Sequence, residues 1–226
     1  MSNKETLSRI TPKGVSIWPK LNEPDTKFDA AGAYTCKLAF DADDADALEL
    51  DAAAEQLRDR FFDQLVADLK ANGKAGKAKQ LTKVPFLKPE VDDETGDETG
   101  RLLLNSKMKA SGVSKKTGKP WSMKPKFFSA KGATLNNPPR ISGGSVLKLS
   151  VTLRPYHKAD NNTVGVSAQL EAVQIIKLVS GGGRSFDQYG FGAEEGDDID
   201  DAATDTTRDD PPFDTDDTSG DDDDDI

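Results

Sequence analysis

The 226-residue sequence has few of the residues on which catalytic and metal sites most often depend. Cys36 is its only cysteine, so no disulfide can form within the chain and a reducing compartment is expected. His157 is its only histidine, which excludes sites that need several histidines. There is no run of 18 apolar residues, and the N-terminus lacks the apolar core of a signal peptide. We therefore expect a soluble, cytosolic protein that needs no cofactor and no metal.

The formal net charge of -10 hides two parts of opposite sign. Residues 193–226 contain 17 acidic residues and one basic residue, whereas residues 1–192 contain 23 acidic and 29 basic residues. The acidic part is rich in Asp, Thr, Gly and Pro and cannot bury enough apolar surface to offset the entropy of ordering. We predict a basic domain over residues 1–183, a linker over 184–192 and a disordered acidic tail over 193–226.

Apolar periodicity predicts a mainly β domain with one prominent helix. Alternation predicts strands over residues 33–40, 101–110, 121–129, 146–156 and 163–179. A stripe of apolar residues from Ala47 to Leu65, at spacings of three and four, predicts a helix that ends at Asn72. Residues 72–83 and 92–100 are predicted to be loops. This pattern favours a small, partly open five-stranded barrel with insertions.

Acidic residues are also absent between Thr99 and Ala159, a stretch that holds 13 lysines and arginines together with several aromatic residues. A positively charged groove that follows phosphates, with aromatic faces on which bases stack, binds single strands without sequence preference. The residues predicted to contact single-stranded DNA are Lys107, Lys109, Lys115, Lys116, Lys119, Trp121, Lys124, Lys126, Phe127, Arg154, Tyr156 and Lys158. Because strand neighbours face opposite ways, Phe127 and Phe128 cannot both face the groove, and either could be the buried one.

No catalytic residue is predicted. The glycine- and lysine-rich segment over residues 112–120 superficially resembles a phosphate-binding loop. Five residues instead of four separate its two glycines, however, and Pro120 replaces the hydroxyl that would bind a metal.

The acidic tail ends in five aspartates and one apolar residue. The residues predicted to bind a partner are Asp221, Asp222, Asp223, Asp224, Asp225 and Ile226. Such a peptide suits a basic pocket with an apolar hole, because the charges speed encounter and the terminal side chain gives specificity. On the same chain, the tail is also a local competitor for the basic groove.

Several segments resemble the single-stranded DNA-binding proteins of lytic tailed bacteriophages. The resemblance lies in Val84–Phe86, Glu94–Gly96, Lys115–Gly118, Ile141–Leu149, Leu153–Tyr156, Val164–Leu170 and Gly181–Gly183. It implies an OB-fold with an added helix, binding without sequence specificity, and a role in phage DNA replication and recombination in the cytoplasm of the infected host. It further implies that Tyr156 lies in the DNA groove. Ile226 departs from the family pattern, in which the last residue is aromatic.

The resemblance also implies partners. The acidic C-terminus would dock the replicative DNA polymerase and the helicase-primase, and the tails would bridge homodimers. We therefore interpret the chain as a binder that coats transient single strands, with the tail guarding the groove when DNA is absent. The alternative is an acidic-tailed chaperone or adaptor that binds basic proteins, its body merely anchoring the tail.

Overall fold

The computed structural model describes residues 5–27 and 29–179 of the chain. The predicted linker over 184–192 and acidic tail over 193–226 lie outside this part, as does the predicted boundary at residue 183. None of the helices within the described ranges is long and apolar enough to span a membrane.

The described residues form eleven strands and two helices. The strands are β1 (Leu7–Ile10), β2 (Gly14–Asp25), β3 (Ala33–Asp41), β4 (Thr82–Lys83), β5 (Lys88–Val91), β6 (Glu98–Lys109), β7 (Ser111–Val113), β8 (Pro120–Ser122), β9 (Lys126–Phe128), β10 (Val146–Lys158) and β11 (Thr163–Lys177). The helices are α1 (Ala45–Ala71), between β3 and β4, and α2 (Ala75–Lys79).

The five longest strands close into a barrel in the order β2–β3–β6–β11–β10, with β10 returning to β2. Strands β6 and β11 run parallel over two residue pairs, whereas the other neighbours in the ring are antiparallel. The closing contact between β10 and β2 also comprises two pairs, Val146 with Val15 and Leu147 with Gly14. The barrel is therefore closed by only two residue pairs at each of two places, between β6 and β11 and between β10 and β2. The predicted mainly β fold with a five-stranded barrel is confirmed.

Strand alternation places one set of side chains in the barrel interior. In β3 and β10 this set comprises Tyr34, Cys36, Leu38, Phe40, Leu147, Leu149, Val151 and Leu153, none more than 2% exposed. These positions form one continuous core. The residues between them point outward. Ala39 and Thr152 are nevertheless buried, whereas Lys37, Lys148 and Arg154 are at least partly exposed.

Helix α1 begins where the acidic residues precede the apolar stripe. The Asp44 side chain accepts a hydrogen bond from the backbone N–H of Ala47 at 3.0 Å, which caps the N-terminus. Asn72 is the C-cap, as predicted. The first half of the helix packs on the core through residues such as Leu50 and Leu57, whereas Leu65 is only half-buried.

Three sequence predictions need correction. Residues 72–83 are not an uninterrupted loop, because they contain α2 and β4, and β4 pairs with the start of β11. The acidic loop is shorter than predicted, since β6 already begins at Glu98. Its turn is held by the Asp92 carboxylate, which accepts backbone hydrogen bonds from Glu94 and Thr95.

The third correction concerns residues 121–129, which are not a single return strand. Strand β8 forms a small hairpin with β7, whereas β9 joins the barrel sheet as a parallel neighbour of β11. The break falls at Met123–Pro125, where proline has no N–H to donate to a ladder.

Candidate nucleic-acid interface

A continuous outer face runs across β3, β6 and β11. Lys107 of β6 lies opposite Thr35 of β3 on one side and beside Gln169 of β11 on the other. Lys109 follows two residues later, so its side chain points to the same side of the sheet. Both lysines are exposed. The register therefore brings two predicted contact residues together on the barrel surface.

An open groove of about 440 Å³ lies on this face. Its lining residues are Lys107, Met108, Lys109, Trp121, Met123, Ser167, Ala168 and Gln169. Three of them, the two lysines and Trp121, were predicted from the sequence as contact residues. The groove thus combines ammonium groups, an aromatic ring and an apolar floor, which are the components that single-strand binding needs.

The ring of Trp121 is held flat by a glycine on the paired strand. Gly112 is its register partner in the β7–β8 hairpin. A Cβ atom on Gly112 would lie only 2.6 Å from Trp121 Cζ2 and 2.9 Å from Cε2, so the ring covers the glycine directly. The indole is half-buried, which leaves part of it open to the groove.

Tyr156 has the same arrangement on the β10–β11 hairpin. Its register partner is Gly165, where an added Cβ would lie 2.6 Å from the tyrosine hydroxyl oxygen and 2.7 Å from Cζ. The ammonium of Lys158 lies 5.6 Å from the centre of the ring. Ring and cation are therefore already close together, in a geometry that permits a cation–π attraction.

Arg154 connects the two aromatic sites. It is exposed and lies opposite Ser167, a residue that also lines the groove beside Trp121. The Ser167 hydroxyl donates a hydrogen bond to the backbone oxygen of Arg154 at 3.1 Å. Gly165 is two residues from Ser167, which is about 7 Å along a strand. Tyr156 thus extends the same face beyond the groove.

The electrostatics of the acid-free segment depend on which carboxylates the fold brings near it. Arg101 lies in an ion pair with Glu90 of β5, N to O 2.5 Å. The Thr99 hydroxyl also donates a hydrogen bond to the Glu90 carboxylate, at 2.7 Å. Together with Arg101, this hydrogen bond lowers the pKa of Glu90 below its ordinary value. Among the described residues, the other twelve basic residues of the segment have no carboxylate within ion-pair distance.

The remaining predicted lysines surround the groove without lining it. Lys115, Lys116 and Lys119 are exposed on the turn of the β7–β8 hairpin, and Lys124 is exposed just after β8. Lys126 is exposed on β9, beside Ala172 of β11. These positive charges can raise the local potential around a bound phosphate chain without forming a pocket for it.

The prediction that Phe127 faces DNA is wrong. Phe127 is 7% exposed and belongs to the hydrophobic core, where its register partner is the fully buried Val173. The half-buried Phe128 points to the other side of β9. The parallel pairing of β9 with β11 decides this orientation, because it sets which residues of a three-residue strand enter the core.

Sequence reasoning also missed residues near the interface. Ser167 and Gln169 line the groove from β11, and their alternation with buried Ala168 and Leu170 was the available signal. Met123 had no distinguishing pattern. Trp18 of β2, 84% exposed, was overlooked because it lies far outside the acid-free segment. The six tail residues predicted to bind a partner, Asp221 to Ile226, lie outside the described residues.

A partly open five-stranded β-barrel with a basic outer groove and two flat, partly open aromatic rings defines an OB-fold nucleic-acid-binding protein. A family model described as "Single-stranded DNA-binding protein, Bacteriophage T7" matches residues 15–178. The chain belongs to this family, and the resemblance found in the sequence is confirmed. The matched range contains every predicted contact residue of the domain.

Two individual proteins are similar to this chain. The single-stranded DNA-binding protein of Enterobacteria phage T3 is 33% identical over 105 residues, which cover 46% of this chain and 44% of that protein. The match therefore spans less than half the length of this curated relative. The crystal structure of gp2.5, a single-stranded DNA-binding protein encoded by bacteriophage T7, is similar in fold with a TM-score of 0.63. It is 21% identical in sequence, and the alignment covers 87% of this chain and 100% of that one.

Proposed function

We propose that this protein binds single-stranded DNA without sequence preference and coats transient single strands during phage DNA replication and recombination, in the cytoplasm of the infected host. The observation that carries the proposal is the shared outer face of β6, β10 and β11. On it, Lys107, Lys109 and Arg154 have no described carboxylate partner and lie beside Trp121 and Tyr156. Membership of the phage family supports the same conclusion.

The contacts have distinct roles in this proposal. The three cations neutralise phosphates, and each neutralised phosphate contributes about -0.7 to the slope of log affinity against log salt for a single strand. Trp121 and Tyr156 offer ring faces to bases, each worth about 1 to 3 kcal/mol. Because every base has a flat face, stacking of this kind does not select a sequence.

We propose further that the protein is not an enzyme and needs no cofactor or metal. Within residues 5–27 and 29–179, no group of three or more His, Cys, Asp or Glu side chains could hold a metal ion. In the β5–β6 turn, the Asp92 carboxylate accepts backbone hydrogen bonds from Glu94 and Thr95, so it stabilises the turn. Labelled single strands incubated with the protein and magnesium or manganese should remain intact, and metal-dependent cleavage would contradict the proposal.

The acidic tail has two roles in the proposal. Tethered to the domain, residues 193–226 compete with DNA for the unpaired lysines at a high effective concentration. When DNA displaces the tail, its end from Asp221 to Ile226 becomes free to recruit the replicative polymerase and the helicase-primase. If the tail of one chain occupied the groove of another chain, the two would form a homodimer.

A titration tests the DNA-binding proposal directly. Fluorescent oligothymidylate should bind more tightly than duplex DNA of equal length, and its affinity should fall steeply between two salt concentrations. Replacing Lys107 and Lys109 together by Ala should reduce the salt slope by about 1.4. The matched control replaces Lys77 and Lys79 of α2, which are exposed and do not line the groove. Equal slopes for the two double variants would exclude the groove as the binding site.

Removal of residues 193–226 tests the role of the tail. The shortened chain should bind oligothymidylate more tightly than the full chain, most clearly at low salt where charge competition is strongest. It should no longer bind an immobilised replicative polymerase from its phage. If the protein is instead an acidic-tailed adaptor, the shortened chain should lose partner binding and should show no increase in affinity for oligothymidylate.

A further inference from the structure

Trp18 is the most exposed large apolar side chain among the described residues, at 84%. Its backbone has φ +47°, in the left-handed region that bulky residues rarely enter. Of the described residues other than glycine, only Asn162, in the β10–β11 turn, shares a positive φ. Trp18 thus combines two unfavourable features, an unburied indole and a strained backbone.

A β-bulge in β2 produces this conformation. Ile17 pairs with Lys37 of β3 and Lys20 pairs with Thr35, so three steps along β2 are matched by two along β3. The additional residue interrupts the ladder at Trp18 and Pro19. Bulges of this kind bend a strand and redirect a side chain, and they are common next to functional sites.

The bulge is fixed in place by the loop that precedes β10. The backbone N–H of Gly144 donates to the Ser16 oxygen at 2.8 Å, and the Ser16 N–H donates to the Ser145 oxygen at 2.8 Å. Beyond the bulge, the Asn22 side-chain oxygen accepts from the Ile141 N–H at 3.0 Å. The surrounding backbone therefore maintains the strained conformation of Trp18. Burial of the indole does not compensate for this strain in the free protein.

The register connects Lys20, at the end of the bulge, to the DNA-binding face. Lys20, two residues beyond Trp18, lies opposite Thr35 of β3, which in turn lies opposite Lys107 of β6. Two strand spacings, about 10 Å, separate β2 from β6. Trp18 and Lys20 also line a broad groove of about 1350 Å³, together with Arg140 from the loop before β10.

The charges around this second groove vary along β2. Lys20 lies two residues beyond Trp18, whereas Arg140 lies farther along, between Pro139 and Ile141, whose backbone groups are hydrogen-bonded to the Asn22 side chain. Glu23 and Asp25 follow Lys20 along β2. A polyanion is favoured beside Lys20 and repelled by these two carboxylates. The polarity thus favours a nucleic-acid strand that reaches Trp18 from β6 and does not continue along β2.

We propose that Trp18 is an additional stacking platform for single-stranded DNA, which extends the binding path from the β6–β11 groove across β3 to the bulge of β2. This inference rests on the proposed function and adds a binding residue to it. A base stacked on the indole would cover the apolar surface that the free protein leaves exposed. Lys20 would accompany a phosphate beside that base.

Replacement of Trp18 tests the proposal. Trp18→Gly and Trp18→Asn both suit the positive φ, so the bulge should survive and thermal stability should not fall. Affinity for a long oligothymidylate should fall by about 5- to 150-fold, the equivalent of one stacked base, while the salt slope stays constant because no charge is lost. Leu48→Ala on α1, which changes another exposed apolar residue, should leave affinity unchanged.

Fluorescence provides a second readout. Trp18 and Trp121 are the only tryptophans, so in Trp121→Phe the tryptophan emission comes from Trp18 alone. Saturating oligothymidylate should quench that emission. Unchanged emission, or wild-type affinity in both Trp18 variants, would overturn the proposal.

The outcomes separate this inference from the proposed function. If the full chain binds oligothymidylate and the Lys107 and Lys109 double variant binds it weakly, but the Trp18 variants bind normally, only the Trp18 inference fails. If the full chain binds no oligothymidylate, both fail. If Trp18→Gly turns a dimer into a monomer in sedimentation without changing affinity per protomer, the occupant is a second copy of the chain and the inference is overturned.

Discussion

Because the ring of Tyr156 lies flat on Gly165, a substitution of the glycine can displace the ring without changing the tyrosine itself. In Gly165→Ala, the new methyl group would lie 2.6 Å from the Tyr156 hydroxyl oxygen, 2.7 Å from Cζ and 3.0 Å from Cε1. Carbon and oxygen atoms that are not bonded need about 3.5 Å. The ring must therefore tilt or move by roughly 1 Å, since the Gly165 backbone is fixed by the β10–β11 ladder.

The expected loss follows from what a base requires of the ring. Stacking contributes about 1 to 3 kcal/mol per base, and this depends on a flat face at van der Waals distance. A tilted ring loses most of that contact, so oligothymidylate affinity should fall by up to the amount that Tyr156→Ala itself costs. The salt slope should not change, because the phosphate-binding cations remain in place.

A double-mutant cycle isolates the mechanism. Oligothymidylate affinity is measured by fluorescence anisotropy for the wild type, Gly165→Ala, Tyr156→Ala and the double variant. If the methyl acts through the ring, it should have no further effect once the ring is absent, and the two losses should be strongly non-additive. Gly76→Ala in α2 is the matched control, because its Cβ would meet no atom within 4 Å.

Two results would refute this reasoning. Wild-type affinity in Gly165→Ala would mean that the position of the Tyr156 ring does not matter for binding. Additive losses would mean that the methyl weakens binding by a route other than the ring. Urea denaturation of each variant checks that the differences do not come from unfolding.

Three further predictions concern the folded domain. Phe127→Ala should destabilise it by about 3 to 5 kcal/mol in urea while the salt slope for DNA stays unchanged; a loss below about 1 kcal/mol would place Phe127 outside the core. Asp44→Ala, which removes the cap of α1, should cost about 1 kcal/mol, and an unchanged denaturation midpoint would show that the cap contributes nothing. Burial raises the pKa of Cys36 to about 12, so at pH 8 a disulfide-exchange reagent should label it only slowly until denaturant is added; rapid stoichiometric labelling of the native protein would contradict its burial.

Four of the five barrel strands and the helix could be predicted from the sequence because their signals are local, whereas β2, which contains Pro19 and a bulge, was not predicted. The buried alternation of β10 from Leu147 to Leu153 is present in the residues themselves, and Asp44 and Asn72 mark the ends of α1. The prediction was less reliable over residues 72–83 and 121–129. There, α2, β4 and β9 are short elements that depend on pairing with distant parts of the chain.

The candidate site was predictable only as a collection of residue types. A basic, acid-free segment with aromatics indicated which residues could bind a single strand, and Lys107, Lys109 and Trp121 do line one groove. The sequence could not show that Arg101 is neutralised by Glu90, because that carboxylate precedes the segment by nine residues and meets it across a β-ladder.

The sequence by itself determined the separation of charge between domain and tail, the alternation of the long strands and the family to which the chain belongs. These properties depend on composition and on neighbours along the chain. Only the tertiary structure decided that Phe127 is buried, that Tyr156 and Trp121 each lie on a glycine, and that Trp18 projects from a bulge. Each of those depends on the register between strands, which is set by contacts between residues far apart in the sequence.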